Sequence, residues 1–115
     1  MIDRPYLESL RALLKEDHYI ILLDLYLKES QICMRDAKNA LINEHWSILE
    51  ELAHAMHNMS QKMHMTYLAE LSTQLESKAQ IHHFETCVQL LSLMITEHEH
   101  VIGEITRQST DQPSD

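Results

Sequence analysis

Between Ala53 and Met65 the chain concentrates side chains that can do chemistry: His54, His57 and His64 alternate with Met56, Met59, Met63 and Met65. Two chemistries suit such a stretch. Imidazole and thioether groups are ligands for copper or another transition metal. Imidazole alone is a nucleophile, because its ordinary pKa near 6.5 leaves the free base abundant at neutral pH. Helical spacing separates the two readings. At about 100° per residue, Leu49, Leu52, Met56, Met59 and Met63 share one side of a helix. His54, His57, Asn58 and Gln61 fall on the other. The methionines then continue an apolar stripe as flexible core fillers and point away from the histidines. A mixed site on this helix is geometrically poor, so the expected metal set is none, and a metal-binding bundle is the third reading. Of the remaining histidines, His18, His45, His82, His83 and His100 are expected to be solvated. His98 lies in an apolar stripe and is expected to be a hydrogen-bonded core residue.

The rest of the chain must hold that face in place. One glycine and two prolines in 115 residues leave too little turn material for a sandwich or barrel, and none for a glycine-rich phosphate loop. Hydrophobic residues at 44% suffice for one core. A formal charge of -9 repels nucleic-acid phosphates and anionic membrane surfaces, so neither is an expected partner. Cys33 and Cys87 sit apart in apolar helical sequence and read as buried free thiols of a reducing compartment. The opening Met1-Ile2-Asp3-Arg4-Pro5 lacks the apolar run of a signal peptide, and Asp24 interrupts the longest apolar stretch. A cytoplasmic monomer is expected.

Periodicity predicts a short helix over Pro5 to Lys15, with Tyr6, Leu7, Leu10, Leu13 and Leu14 on one stripe. A long second helix runs to about Leu41, with Asp17 as its N-cap. Asn43 is expected to cap a third helix beginning near His45 or Trp46. A turn falls between Gln61 and Thr66, and Leu68, Leu71 and Leu75 mark a fourth helix. Ile81, Phe84, Val88, Leu91, Ile95, His98, Ile102 and Ile105 form the stripe of a last helix, with Gly103 weakening its end. Short connections between long amphipathic helices imply an all-α fold, an antiparallel four-helix bundle with a short extra N-terminal helix. The bundle spans residues 1–108, and 109–115 read as a disordered polar tail.

With the elements in place, Leu52-Ala53-His54-Ala55-Met56-His57-Asn58-Met59-Ser60 resembles the central motif of histidine-containing phosphotransfer (HPt) domains, roughly Ala-His-x-Leu-Lys-Gly-Ser. The helix Leu68-Ala69-Glu70-Leu71-Ser72-Thr73-Gln74-Leu75-Glu76 follows at the family's distance. Leu22 to Ser30 is similar to the family's first bundle helix, and His45-Trp46 stands where many members have Asp-Trp. The resemblance implies a carrier without kinase activity. His54 would accept a phosphoryl group from an aspartyl phosphate on a response-regulator receiver domain and pass it to another receiver, in a relay fed by a hybrid sensor histidine kinase. It implies phosphorylation at Nε2 of His54, with Glu76 orienting the ring through Nδ1. It also implies docking of the receiver on the face of Glu50, Glu51, His57, Asn58 and Gln61. No cofactor of its own is expected; Mg²⁺ would come with the receiver. Two positions depart from the pattern: His57 replaces the usual lysine and Asn58 the usual small residue. They leave open a degenerate module that binds a receiver or kinase without transfer.

Overall fold

The computed structural model describes residues 2–110, with side chains described through Thr106. Five helices follow one another: α1 Arg4–Leu13, α2 Glu16–Ile42, α3 Trp46–Lys62, α4 Thr66–Gln80 and α5 Phe84–Thr110. Among the described residues there is no strand. Helices α2 to α5 make an antiparallel four-helix bundle, with α3 packed on α2 and α4, and α5 packed on α4 and α2. The polar tail expected from 109 onward lies outside the described residues, apart from the helical backbone of Ser109 and Thr110.

The three connections inside the bundle share one design. Glu44, His64 and His82 each take a left-handed backbone, at φ 52°, 57° and 56°. The amide one residue further on reaches back to a carbonyl five positions earlier: His45 to Ala40 at 2.8 Å, Met65 to Ser60 at 2.8 Å, His83 to Lys78 at 3.0 Å. This is the Schellman closure of a helix C-terminus. It satisfies orphan carbonyls within three residues, so the next helix starts at once and antiparallel. Glycine is the usual residue at the left-handed position. Here glutamate and histidine occupy it, which hides the turns from a glycine count.

Several helix ends differ from the sequence expectation. Asn43 closes α2 as its C-cap and donates its side-chain amide to the Asn39 carbonyl at 2.9 Å; it does not cap α3. Asp17 lies in the first turn of α2, and Lys15 is the N-cap without a side-chain bond. Asp3 caps α1 instead, accepting from the Tyr6 amide at 3.0 Å, with Pro5 in the first turn.

The core runs the length of the bundle through Leu23, Met34, Leu49, Met56, Leu68, Leu75, Met94 and Val101. Met56, Met63 and Met65 are buried and Met59 is half-buried against them, as core methionines should be. Leu13 does not join the stripe of α1; it is 82% exposed, whereas Leu14 packs against the core. The buried face of α5 keeps Leu91, His98 and Ile105 of the expected stripe but is otherwise rotated around the helix from it. Cys87, Leu90, Leu91, Met94, His98, Val101 and Ile105 face inward, whereas Phe84 and Val88 are exposed and Ile81 lies in the preceding turn. This helix is apolar over a broad arc, so periodicity alone cannot choose between adjacent stripes. Cys33 and Cys87 are free and buried. Burial raises both thiols, Cys33 to about 11.

A buried polar contact joins α2 to α5. Ser30 donates to the Leu27 carbonyl at 3.1 Å, so its oxygen is free to accept from Nε2–H of buried His98. Burial lowers the pKa of His98, and the charge of Glu99 opposes this only in part. The unfolded chain therefore binds a proton at higher pH than the fold does. Stability from this group is complete above the unfolded value near 6.5 and is lost as pH falls toward the folded value. Melting curves between pH 7.5 and 5 are expected to show this loss, and a His98→Gln variant to show a shallower slope.

Candidate functional site

The site is built along the contact of α3 with α4. Ala53 and Ser60 on α3, with Ala69, Ser72 and Ala79 on α4, are all buried, and their small side chains bring the two backbones together. Ala53 and Met56 face inward, which turns His54 outward; its side chain is 60% exposed.

Across the outer edge of this pair run three polar rungs, each one turn from the next. Gln80 donates its amide to Glu50 Oε1 at 3.0 Å. His54 Nδ1 lies 3.3 Å from Glu76 Oε2. His57 Nδ1 lies 2.9 Å from Thr73 Oγ1 and 3.1 Å from the Ala69 carbonyl. Steps of three or four residues forward on α3 match equal steps backward on α4, the register of an antiparallel pair. The middle rung leaves Nε2 of His54 facing outward, with its other nitrogen engaged.

Two recesses flank the ladder. One of about 600 Å³ surrounds His54 and is lined by Ser47, Glu50, Glu51 and Glu76. The other, of about 570 Å³, lies toward the α3–α4 turn; its walls include His57, Gln61, Glu70, Thr73 and Gln74. Glu50, Glu51, His54, His57, Gln61 and Glu76 are thus brought onto one face, and Asn58 is exposed on the same helix. His57 is less free than its sequence position suggests, since α4 holds its ring.

Residues without a sequence-level role also matter. Gln80, Thr73 and the Ala69 carbonyl complete the outer rungs, and only the register of α4 against α3 reveals them. His64 stacks on Tyr6 with ring centroids 3.7 Å apart, and its Nδ1 lies 3.3 Å from Asp3 Oδ2. Tyr6 Oη donates to the Lys62 carbonyl at 3.1 Å, so this cluster fastens α1 over the α3–α4 turn. His82, expected to be merely solvated, is exposed but stacks on Trp46 at 4.9 Å. Among the described residues no group of three or more His, Cys, Asp or Glu could hold a metal ion, and no helix is long and apolar enough to cross a membrane.

The all-helical bundle thus carries an exposed imidazole, His54, beside the carboxylate of Glu76 on the next helix. The family model of the Hpt domain matches residues 21–103, and the chain belongs to that family. Its fold is similar to the crystal structure of histidine-containing phosphotransfer protein B (HptB) from Pseudomonas aeruginosa PAO1. The TM-score is 0.81 at 26% identity, over 94% of this chain and 95% of that one. Among curated protein sequences nothing matches. Membership assigns a phosphotransfer function in two-component relays, in a family of phosphocarrier modules that meet receiver domains and kinases.

Proposed function

We propose that His54 is the phosphoryl carrier of this chain, accepting from the aspartyl phosphate of one receiver domain and donating to another. The contact of its Nδ1 with Glu76, at 3.3 Å, is the observation that carries this reading. A carboxylate can only accept, so in the neutral ring Nδ1 holds the proton and Nε2 holds the lone pair. Nε2 attacks phosphorus, the bond from phosphorus to the acyl oxygen breaks, and the receiver's aspartate leaves as carboxylate. The ring becomes a cation, and Glu76 is placed to stabilise the developing charge. Return transfer reverses each step. Nothing in this sequence requires a cofactor bound to the chain; the Mg²⁺ that shields the acyl phosphate belongs to the receiver. The receiver docks on the surrounding face of Glu50, Glu51, His57, Asn58 and Gln61. The upstream donor is a hybrid sensor kinase, and the carrier acts in the cytoplasm as a monomer.

Incubation with a phosphorylated receiver should transfer an acid-labile, base-stable phosphoryl group to the chain. Stable binding of the receiver without such transfer would instead identify a regulatory module. Glu76→Gln keeps an acceptor for Nδ1–H but removes the charge. It should slow transfer about tenfold, the kinetic equivalent of ~1.4 kcal/mol, and Glu76→Ala should slow it more. Equal rates for wild type and Glu76→Ala would remove the carboxylate from the mechanism.

A further inference from the structure

The rung one turn beyond His54 presents a second imidazole in the same manner. Thr73 directs its own hydroxyl hydrogen to the Ala69 carbonyl at 3.1 Å, so its lone pairs face His57. The Ala69 carbonyl, also 3.1 Å from His57 Nδ1, can only accept. A bond to that carbonyl places the proton on Nδ1 of His57, and the lone pair of the neutral ring then lies on Nε2. That nitrogen has no partner among the described residues and is not a buried atom, and His57 lines the groove. The surroundings of the two rings differ. Three carboxylates line the recess at His54, whereas the groove at His57 has Gln61, Gln74 and Thr66 as donors and Glu70 as its single carboxylate. An anion is better accommodated beside His57.

We propose that His57 is a second phosphoryl-accepting histidine, with its phosphoryl group seated in the groove between the C-terminal half of α3 and the N-terminal half of α4. The inference rests on the same chemistry as the reading of His54. Nε2 attacks phosphorus, the bond from phosphorus to the donor's leaving atom breaks, and that atom keeps the electron pair. The ring becomes a cation whose Nδ1–H stays on the Ala69 carbonyl and Thr73 Oγ1. No other reactant is needed. Because His57 is half-buried, it fills more slowly than His54 when the donor is a receiver.

A small donor that needs no docking tests this directly. The full chain, as wild type and as His54→Gln, is treated with phosphoramidate at neutral pH, and peptides are mapped by fragmentation that preserves phosphohistidine. Phosphorus transfer then releases ammonia. The expected result is label at both His54 and His57 in the wild type, and at His57 in the variant. His57 should react about tenfold faster than solvated His18 in the same sample, the effect of one charge-assisted bond to the developing cation. Thr73→Val, with its circular dichroism unchanged, should lower labelling at His57 but not at His54. Label confined to His54, or His57 no faster than His18, would overturn the proposal while leaving His54 as the carrier. Label at His57 but not at His54 would reverse that outcome, and label at neither would overturn both. An unchanged rate at His57 in Thr73→Val would refute the positioning by α4 on which the proposal stands.

Discussion

His54→Gln is expected to lower receiver-dependent phosphoryl uptake by at least ~100-fold, a loss of about 2.7 kcal/mol of transition-state stabilisation, while leaving the bundle intact. The two halves of this result follow from different features. The loss follows because the nucleophilic Nε2 disappears, and no neighbouring group stands at the same point with the same carboxylate behind it. The retained fold follows because the His54 side chain is 60% exposed and is not part of the buried core. Substitutions of that kind change stability by less than ~0.5 kcal/mol, or a few degrees in Tm for a domain of this size. Any uptake that survives should map to His57, with slower kinetics. Uptake at the wild-type rate would move the chemistry to another histidine altogether.

The largest stability effect is expected at the methionines behind the site. Met56 is 1% exposed, directly beneath the turn that carries His54 and His57. Truncation of Met56 to alanine should cost about 2–5 kcal/mol, the transfer energy of the lost atoms plus the cavity they leave. Met59 is half-buried at the edge of the same core, so Met59→Ala should cost less, toward the lower end of that range. Urea unfolding of the two variants with an unchanged m-value would measure both terms. Equal costs below ~0.5 kcal/mol would contradict the packing of α3 described above. Because the small residues Ala53 and Ser60 share this buried face, a cavity at Met56 should also loosen the α3–α4 contact and weaken the rungs. Transfer by Met56→Ala should therefore fall below the wild-type rate even at temperatures where the variant is folded.

How much of this is legible in the sequence differs by level. Helix number, order and approximate length follow from apolar periodicity, and so does the inward turn of Met56 and Met63, because strict steps of three and four leave one choice of face. The stripe of α5 is read correctly at Leu91, His98 and Ile105 but rotated elsewhere, because Phe84, Val88, Ile95 and Ile102 are as apolar as the residues that are buried. Only the packing of α2 and α4 decides between them. The turns are missed as Schellman closures because Glu44, His64 and His82 adopt left-handed backbone without glycine, the usual marker. At the site, His54 stands out through its exposed face and its motif, and Glu76 through the family resemblance of the following helix. The partners of His57 and Glu50 do not, since a sequence carries no register between helices. Once three-residue closures fix that register, the rungs follow.

The central claim is that one imidazole, backed by Glu76, is the relay's acceptor, and the direct measurement is site-resolved mass spectrometry after transfer. Wild-type chain is incubated with a receiver domain phosphorylated on its aspartate in the presence of Mg²⁺, quenched at alkaline pH and mapped by fragmentation that preserves phosphohistidine. The account predicts that the first phosphoryl group to appear is on Nε2 of His54, that it is acid-labile and base-stable, and that it returns to the receiver when fresh unphosphorylated receiver is added. A phosphoryl group that appears first on any other residue, or none at all while the receiver binds, would contradict it.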